Sequence, residues 1–313
     1  MTESRPVGIV GVGLLGSAVA GVLLHAGCRV VGYDVVPERV AALAEQGGRP
    51  AGSPAEVAGQ TDAVFTILPT LASVEEAIAG RGGVLEGAGK DTIILQMSTI
   101  SPALAIRMEE AVRARGVAFL DAPVSGTSSM VARRDCVVTV GGDRVAFERS
   151  LPVLDAMAKR VFHVGSCGRG SYLKLVTNLI MGLNGVVLAE GLTLARRAGL
   201  DPAQTLEILT HGAAASKILD VRGPLMVEGR FDPLMKVDLF LKDIRLMLEA
   251  GQELQVPLPL TGLMQQFYTA ALAAGQAKDD LSGIIRLYEE MAGLPPRGAD
   301  DALRSTERGR SNG

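Results

Sequence analysis

The sequence predicts an α/β domain with a doubly wound parallel sheet, followed by an all-α domain. In the first half, short β-branched runs alternate with helical stretches, which is the pattern of βαβ units. Several of these runs are continuously apolar, as expected where helices cover both faces of a sheet. After about Gly165 only helical patterns follow. The predicted boundaries are residues 1–165 for the first domain, 166–293 for the second, and 294–313 for a disordered tail.

Seven strands are predicted in the first domain, each a short run rich in β-forming residues: Val7–Val10, Arg29–Tyr33, Ala63–Leu68, Thr92–Gln96, Ala118–Leu120, Cys136–Val140 and Val161–Val164. Helical patterns between them include Leu14–Ala26, Pro37–Glu45, Ser73–Ala79 and Pro102–Arg115. In the second domain, helices are predicted at Ser171–Ala198, Pro202–Thr210, Val237–Gly251 and Pro259–Ala274.

Composition excludes several classes of function. The net charge of the 313 residues is -3 with both signs interspersed, so no basic field exists to bind nucleic acid or an anionic membrane surface. Trp is absent and aromatic residues make up 4%, which argues against a base-stacking platform. The three cysteines are too far apart for a disulfide framework or a zinc site. We therefore expect a cytoplasmic protein whose partner is a small molecule.

An apolar segment, residues 7–24, follows Arg5 as a signal peptide or membrane anchor would. It contains five glycines, which would weaken an isolated apolar helix and instead punctuate a strand, a turn and a helix: Gly8, Gly11, Gly13, Gly16 and Gly21. A second β-rich stretch follows directly. We therefore expect neither export nor membrane association.

A glycine pattern of the form G-x-G-x-x-G follows the first predicted strand and opens a helix: Gly11, Val12, Gly13, Leu14, Leu15 and Gly16. In a dinucleotide fold, Gly11 permits the tight turn, Gly13 lets the backbone approach a pyrophosphate, and Gly16 allows close helix packing. The N–H groups at the helix N-terminus then face the phosphate oxygens. Taken alone, the triplet is equally compatible with a flexible glycine-rich turn.

Asp34 raises the specificity of this pattern. It ends the second predicted strand about 20 residues beyond the first glycine, where dinucleotide folds carry a ribose-binding carboxylate. Its charge opposes the extra phosphate of NADP, and no basic residue follows it immediately, because Arg39 is a turn further on. The sequence therefore predicts NAD rather than NADP as the cofactor. The alternative is that Asp34 only caps a helix or turn.

Lys174 has the chemistry of a general acid and base. Oxidation of an alcohol requires a group that takes the hydroxyl proton as hydride leaves, and the reverse reaction requires a proton donor. Lys174 is the only basic residue of the apolar stretch 172–194, and Asn178 follows one helical turn later. The alternative is that Lys174 reaches solvent from a buried helix and that Asn178 bonds the backbone.

The loop Ser125-Gly126-Thr127 offers consecutive N–H groups and two hydroxyls, which can bind a carboxylate without a buried arginine. The alternative is a simple turn after a strand. The three histidines, His25, His163 and His211, show no metal-ligand spacing, so no metal site is predicted.

Three motifs in order resemble the β-hydroxyacid dehydrogenases, the family of 3-hydroxyisobutyrate dehydrogenase and tartronate semialdehyde reductase. They are Asp121-Ala122-Pro123-Val124-Ser125-Gly126, the pattern G-x-G-x-x-x-K-x-x-x-N from Gly168 to Asn178, and the pair Lys242-Asp243. The resemblance covers roughly residues 6–290. It implies reversible oxidation of a short 3-hydroxy acid to its semialdehyde or keto acid, with hydride transfer to NAD(P).

The resemblance also implies roles for single residues. Lys174 would be the acid/base, and Asn178, Ser125, Gly126 and Thr127 would bind substrate. Residues implied for the cofactor are Leu68, Pro69 and Ser73 on the adenosine side, Thr99 near the nicotinamide ribose, and Lys242 from the helical domain.

Two departures from the family pattern leave the substrate open. Thr127 replaces a second glycine, and Arg133-Arg134-Asp135 stands where relatives have small residues. The alternatives are an imine reductase, a semialdehyde or glyoxylate reductase, and a non-catalytic NAD-binding scaffold. The long apolar helix at 172–194 favours a homodimer or homotetramer.

Overall fold

The computed structural model describes residues 6–295, so the predicted tail lies outside the described residues from 296 onward. The chain forms two compact units, of which the first ends at Thr177 and the second begins at Asn178. The division falls inside a long helix, because the first turns of that helix pack on the sheet of unit 1.

Unit 1 contains nine strands among the described residues: β1 (Val7–Val10), β2 (Val30–Tyr33), β3 (Arg49–Pro50), β4 (Ala63–Thr66), β5 (Ile93–Gln96), β6 (Ala118–Asp121), β7 (Val124–Ser125), β8 (Val137–Gly142) and β9 (Arg160–Gly165). Its helices are α1 (Leu14–His25), α2 (Pro37–Glu45), α3 (Pro54–Gly59), α4 (Leu71–Ala79), α5 (Val84–Gly87), α6 (Pro102–Arg113), α7 (Ser128–Ala132) and α8 (Arg144–Met157). The helix α9 (Arg169–Arg197) begins in this unit.

The strands form one sheet in the order β3-β2-β1-β4-β5-β6-β8-β7, with β9 paired to β8. The first six strands are parallel and follow the doubly wound order, so the sequence order reverses between β1 and β4. Ligands bind such sheets at the carboxyl ends of the strands beside that reversal. β8 runs antiparallel to β6 and β7, which ends the parallel part of the sheet.

Apolar side chains fill both faces of the sheet. Ile9 and Phe65 pack with α1 and α8 on one face, while Val10 and Val64 pack with α3, α4 and α6 on the other. Neighbouring residues of a strand point to opposite faces, which is why the runs in β1 and β4 carry no polar alternation. The prediction of a doubly wound domain is confirmed.

Unit 2 is helical and contains the rest of α9, α10 (Pro202–His211), α11 (Lys217–Glu228), α12 (Val237–Glu253), α13 (Pro259–Ala273), a 3₁₀ turn (Leu281–Ile284) and α14 (Ile285–Met291). Phe240 of α12 packs edge-on against Tyr268 of α13, with ring centroids 5.3 Å apart. Asp280 pairs with Arg222 of α11 and accepts the amide of Met235, which fixes the segment leading into α12. The prediction of an all-α second domain is confirmed.

Predicted strands and helices differ from the observed ones mostly by a residue or two at their ends. The elements that the sequence patterns missed are short or interrupted, such as β3, α5 and β7, or contain an internal proline, such as α8 with Pro152 and α11 with Pro224. By length and composition alone, α9 could cross a membrane. One such helix is weak evidence, because the core helices of soluble proteins pass the same test.

Candidate functional site

The glycine turn after β1 gives each of its three glycines a different environment. Gly11 has φ +98°, and a Cβ there would lie 2.2 Å from the carbonyl oxygen of Ile67. A Cβ on Gly16 would lie 1.9 Å from the oxygen of Gly11. At Gly13 the nearest atom is Nη1 of Arg39 at 3.9 Å. Gly11 and Gly16 are therefore required by packing, whereas Gly13 keeps an open surface beside the turn.

The N-terminus of α1 can bind an anion. Gly13 is its N-cap and provides no side-chain cap, and the first intrahelical bond is donated by the Ser17 amide to Gly13. The amides of Leu14, Leu15 and Gly16 therefore precede the helical hydrogen-bond ladder. The Leu14 side chain is exposed, whereas Leu15 is half-buried. An open glycine followed by free helix amides fits the pyrophosphate of a dinucleotide.

Asp34 ties this turn to the end of β2. Its Oδ2 accepts the Val12 amide at 2.9 Å, and its Oδ1 accepts the Val36 amide at 2.9 Å. The Arg39 guanidinium lies 3.3 Å from the same carboxylate. The sequence interpretation set Arg39 aside as a turn away, but a residue in the first turn of α2 can reach back to the strand end. Asp34 is thus both a local cap and a carboxylate beside the glycine turn.

The remaining residues implied for the cofactor in unit 1 lie after β4 and β5. The Leu68 amide donates to Ser98 Oγ at 2.8 Å, which joins the two strand ends, and Pro69 follows directly. The Ser73 hydroxyl forms a capping box with Thr70 at the start of α4. Thr99 is half-buried in the loop after β5. The structure therefore places all four beyond the carboxyl ends of strands next to the β1–β4 reversal.

The predicted substrate loop is partly committed to local structure. Ser125 ends β7, opposite Val137 of β8. Gly126 has φ +153°, and a Cβ there would lie 2.9 Å from the Cβ of Cys136. The Thr127 hydroxyl caps α7 by accepting the Met130 amide at 3.2 Å. The sequence interpretation missed this capping role of Thr127, whose signal was a threonine directly before a short helix.

The arginines that depart from the family pattern are exposed. Arg134 has φ +58°, and its guanidinium donates to the carbonyl of Asp155 at 2.7 Å. Arg133 follows α7 as its C-cap. Both arginines therefore lie on the surface of unit 1, where Arg134 contacts α8.

A cavity of about 320 Å³ lies within unit 1, lined by Ser125, Val137, Thr139, Phe162, Leu173, Lys174 and Thr177. It brings together Ser125 and Lys174, which are far apart in sequence. Three of the lining side chains are apolar and the others are hydroxyls or the lysine amine. Its volume lies in the range of small-molecule sites, about 300–1,000 Å³.

The start of α9, which carries Lys174, is attached to the sheet by a residue whose role the sequence interpretation missed. Asp121, at the end of β6, accepts the Ser171 amide at 2.7 Å and the Ser171 hydroxyl at 2.6 Å. A Cβ on Gly170 would lie 2.4 Å from the Asp121 carbonyl oxygen. Asp121 was noted only as the first letter of a motif, since nothing local in the sequence indicates a partner 50 residues away.

In unit 2, Asp243 connects two predicted site residues. The Asn178 side-chain amide donates to Asp243 Oδ2 at 2.8 Å, and Lys242 Nζ lies 3.1 Å from Asp243 Oδ1. Asn178 and Asp243 are buried, and the Lys242 side chain is a quarter exposed. With its nitrogen held by Asp243, Asn178 presents its amide oxygen as an acceptor. Among residues 6–295, no group of three or more His, Cys, Asp or Glu side chains is placed to hold a metal ion.

Two family models match the chain. Residues 6–165 match the NAD binding domain of 6-phosphogluconate dehydrogenase, and residues 168–288 match a model described as NAD-binding of NADP-dependent 3-hydroxyisobutyrate dehydrogenase. The two matches together span most of the described residues.

Whole proteins are similar as well. The 2-(hydroxymethyl)glutarate dehydrogenase of Eubacterium barkeri is 34% identical over 95% of this chain and 99% of its own length. The L-threonate dehydrogenase of Cupriavidus necator is 31% identical over 91% of this chain and 96% of its own. The crystal structure of 3-hydroxyisobutyrate dehydrogenase from Salmonella typhimurium matches with a TM-score of 0.84 and 34% identity, covering 91% of this chain and 100% of that one.

The motifs that carry the resemblance therefore lie in a chain that is similar to these enzymes over nearly its whole length. The predicted family and enzyme class are confirmed. The chain belongs to the β-hydroxyacid dehydrogenase family, whose members are NAD(P)-dependent dehydrogenases of CH–OH groups.

Proposed function

We propose that this chain reversibly oxidises a short 3-hydroxy acid to its semialdehyde or keto acid, with NAD as the preferred cofactor and Lys174 as general acid and base. The observation that carries the proposal is the cavity of unit 1, where Ser125 and Lys174 stand among apolar side chains. A carboxylate-binding hydroxyl and a proton-transfer group in one small cavity are the two elements that a hydroxy acid requires.

Lys174 moves the proton. The bound nicotinamide ring supplies the hydride acceptor or donor. The neutral amine of Lys174 takes the hydroxyl proton during oxidation, and its ammonium returns a proton to the carbonyl oxygen in the reverse direction. The apolar side chains of Val137, Phe162 and Leu173 line the same cavity as the amine.

Ser125 and the amides around Gly126 bind the carboxylate of the substrate in this proposal. Consecutive backbone N–H groups and a hydroxyl can neutralise an anion without a buried cation. Asn178, held by Asp243, keeps its amide oxygen as a hydrogen-bond acceptor one helical turn after Lys174. Lys242 lies against the same carboxylate, and its role toward the cofactor is what the resemblance to the family implies.

The experiment that tests the function is Lys174→Ala. Turnover should fall by about 10²–10⁴-fold, as is typical for loss of a general acid/base, while NAD binding changes little. Lys174→Arg should not restore turnover, since guanidinium keeps its proton at every accessible pH. Lys159→Ala removes an exposed lysine of the same unit, one paired with Asp135, and should leave turnover unchanged. A folded Lys174→Ala enzyme with near-normal turnover would refute the proposal.

The substrate can be named only by class. The related enzymes named above act, by their names, on 2-(hydroxymethyl)glutarate, L-threonate and 3-hydroxyisobutyrate, which all carry a hydroxyl and a carboxyl group. An imine reductase is the alternative on this fold, and the lysine in the cavity favours a carbonyl substrate over an imine. Nicotinamide absorbance with a panel of hydroxy acids, glyoxylate, succinic semialdehyde and cyclic imines separates these activities.

Two structural features bear on the cofactor. Asp34 lies beside the glycine turn and favours a free 2′-hydroxyl, which supports NAD. Arg39 lies against the same carboxylate and could pair with a 2′-phosphate instead, which makes NADP the second candidate. The ratio of catalytic efficiencies with the two cofactors decides between them.

We also propose that the protein is a cytoplasmic homodimer or homotetramer. Within unit 2, Ile180, Val187 and Leu194 of α9 are spaced seven residues apart and are 53%, 67% and 72% exposed. An apolar stripe of this kind on one helix is typical of a surface covered by another chain. A monomeric mass at micromolar concentration would contradict the oligomer.

A further inference from the structure

The side chain of Asp121 is fully buried and lies outside the residues that line the cavity. Both of its carboxylate oxygens are bonded to one residue, since Oδ2 accepts the Ser171 amide and Oδ1 accepts the Ser171 hydroxyl. Ser171 belongs to the first turn of α9. A residue at the end of one strand therefore holds the beginning of the helix that carries Lys174.

The start of α9 requires such a partner, because it has no cap of its own. The Tyr172 amide donates to the Gly168 carbonyl, which makes Gly168 the N-cap and Ser171 the third helical residue. An N-cap side chain normally accepts that third amide, as Asp143 does locally for α8. Gly168 has no side chain, and its φ of +87° disfavours residues that have one. Asp121 supplies the missing oxygen from β6.

Backbone contact fixes the same turn. A Cβ on Gly170 would lie 2.4 Å from the Asp121 carbonyl and 2.9 Å from the Thr139 carbonyl, so the first turn of α9 lies directly on β6 and β8. Because no gap separates Gly170 from the two strands, this turn cannot move toward the sheet, and any other shift breaks its packing on β6 and β8. Lys174 follows Ser171 by three residues, within one helical turn.

We propose that Asp121 is a positioning residue for the reaction: by capping α9 from β6, it fixes Lys174 relative to Ser125. The proposal rests on the proposed function, in which Lys174 transfers the proton. Its geometric basis is the pair of bonds to Ser171 and the close contact at Gly170. A displacement of about 1 Å at a catalytic group can lower a rate by about 10²-fold, so the position of this turn matters for turnover.

The charge of Asp121 adds a second effect. Burial raises the pKa of Asp121 to about 6, although the bonds from Ser171 lower it, and Glu109 of α6 raises it further. The thiol of Cys167 also lies near Asp121, and burial raises the pKa of that thiol. At neutral pH the carboxylate of Asp121 is mostly ionised, and its negative charge, bonded to a residue one helical turn before Lys174, favours the ammonium form of that lysine in our proposal.

Three variants and one matched control test the proposal. Asp121→Ala removes both bonds, and Ser171→Ala removes only the hydroxyl bond. Asp121→Asn keeps the shape, because its oxygen can accept the Ser171 amide and its nitrogen can donate to the Ser171 hydroxyl, but it removes the charge. Asp143→Ala is the control, since it deletes the cap of α8, a helix without a predicted site residue. The readouts are kcat, the KM for NAD, and the pH profile of oxidation.

Asp121→Ala should lower kcat by about 10-fold or more with little change in the KM for NAD. The reason is that the displaced helix start carries Lys174, whereas the predicted cofactor residues of unit 1 lie on other elements. Asp121→Asn should keep most of the kcat at high pH and shift the rising limb of the profile to lower pH, because the neutral amine forms more easily without the carboxylate. The kcat of Ser171→Ala should lie between those of wild type and Asp121→Ala. Asp143→Ala should lower thermal stability alone.

An unshifted profile in Asp121→Asn, together with a kcat in Asp121→Ala equal to that of Asp143→Ala, would overturn the proposal. If Asp121→Ala does not fold, the pH profile of Asp121→Asn and the kcat of Ser171→Ala decide the question. A wild-type pH profile together with a wild-type kcat would then count against the proposal. The proposed function fails separately, through an active Lys174→Ala enzyme.

Discussion

Two glycine-rich segments open helices on unit 1, and in both a carboxylate from a strand end accepts a backbone amide of the segment. Asp34 accepts the Val12 amide at the turn after β1, and Asp121 accepts the Ser171 amide at the start of α9. The carboxylates differ in their surroundings. Asp34 lies beside the Arg39 guanidinium, whereas Asp121 is fully buried and its pKa is raised to about 6 by burial.

The comparison indicates that the Asp34 carboxylate can bind a ligand, whereas the Asp121 carboxylate holds the start of a helix. Asp34 lies beside a cation and next to the glycine turn, so ribose hydroxyls can share its oxygens. Asp121 has both oxygens bonded to Ser171 and no exposed surface. It therefore influences the reaction without touching a ligand, through the helix that it caps and through its charge.

The largest expected effect separates two glycines of the first segment. Gly11→Ala should destabilise the protein by about 3 kcal/mol or more, because φ is positive and the new methyl group would meet the Ile67 carbonyl. Gly13→Ala should leave the free energy of unfolding within about 1 kcal/mol of wild type, since its φ of -70° suits alanine. Denaturant unfolding measures both values.

At Gly13 we expect the substitution to weaken cofactor binding rather than stability. Its added methyl would occupy the surface that the pyrophosphate approaches, so the Kd for NAD should rise although the protein is stable. A Gly13→Ala protein that binds NAD normally would show that this turn has a structural role only, as the start of α9 has.

The sequence predicted the first segment better than the second, for a physical reason. The role of Gly16 depends on the Gly11 carbonyl within the same strand-turn-helix unit, and the positive φ of Gly11 belongs to the same turn, so a local pattern specifies both glycines, although Gly11 also lies against the distant Ile67 carbonyl. The bond between Asp121 and Ser171 depends on the order of strands in the sheet, and no spacing of residues reveals it. The same limit applies to Asp243, whose link to Asn178 spans 65 residues.

The main strands and helices were predictable because burial on both sheet faces and helical periodicity leave continuous signals. Short elements such as β3 and β7, with two residues each, carry no such signal. Arg39 shows a further limit: its distance along the chain suggested independence from Asp34, yet the helix start brings the two side chains together.

An effect of intermediate size is expected in the pH dependence of the free energy of unfolding, through Asp121. Because the pKa of Asp121 is raised from 3.8 to about 6, the folded state binds a proton more tightly than the unfolded state does. Stability from this group is fully present below pH 4 and is lost as pH rises through about 6. The loss amounts to roughly 3 kcal/mol at most, and Asp121→Asn should remove it.

Unfolding free energies of wild type and Asp121→Asn, measured from pH 4 to 8, give the comparison. The difference between the two proteins should change across this range and level off above about pH 7. A constant difference would mean that the carboxylate titrates as in the unfolded chain.

The smallest effect on stability is expected at Arg39. Substitution of Arg39 should instead change the catalytic efficiency with NADP. The Arg39 side chain is 51% exposed, and an exposed ion pair contributes only about 0–1 kcal/mol, so Arg39→Ala should unfold nearly as wild type does. If Arg39 turns from Asp34 to a 2′-phosphate, the catalytic efficiency with NADP should fall about 10-fold, equivalent to ~1.4 kcal/mol, while that with NAD stays within about twofold. Arg144→Ala, which breaks the exposed pair with Glu148 on α8, is the matched control and should change neither efficiency. Equal losses with both cofactors would mean that Arg39 supports the glycine turn through Asp34, and the first segment would then depend on a long-range contact as much as the second does.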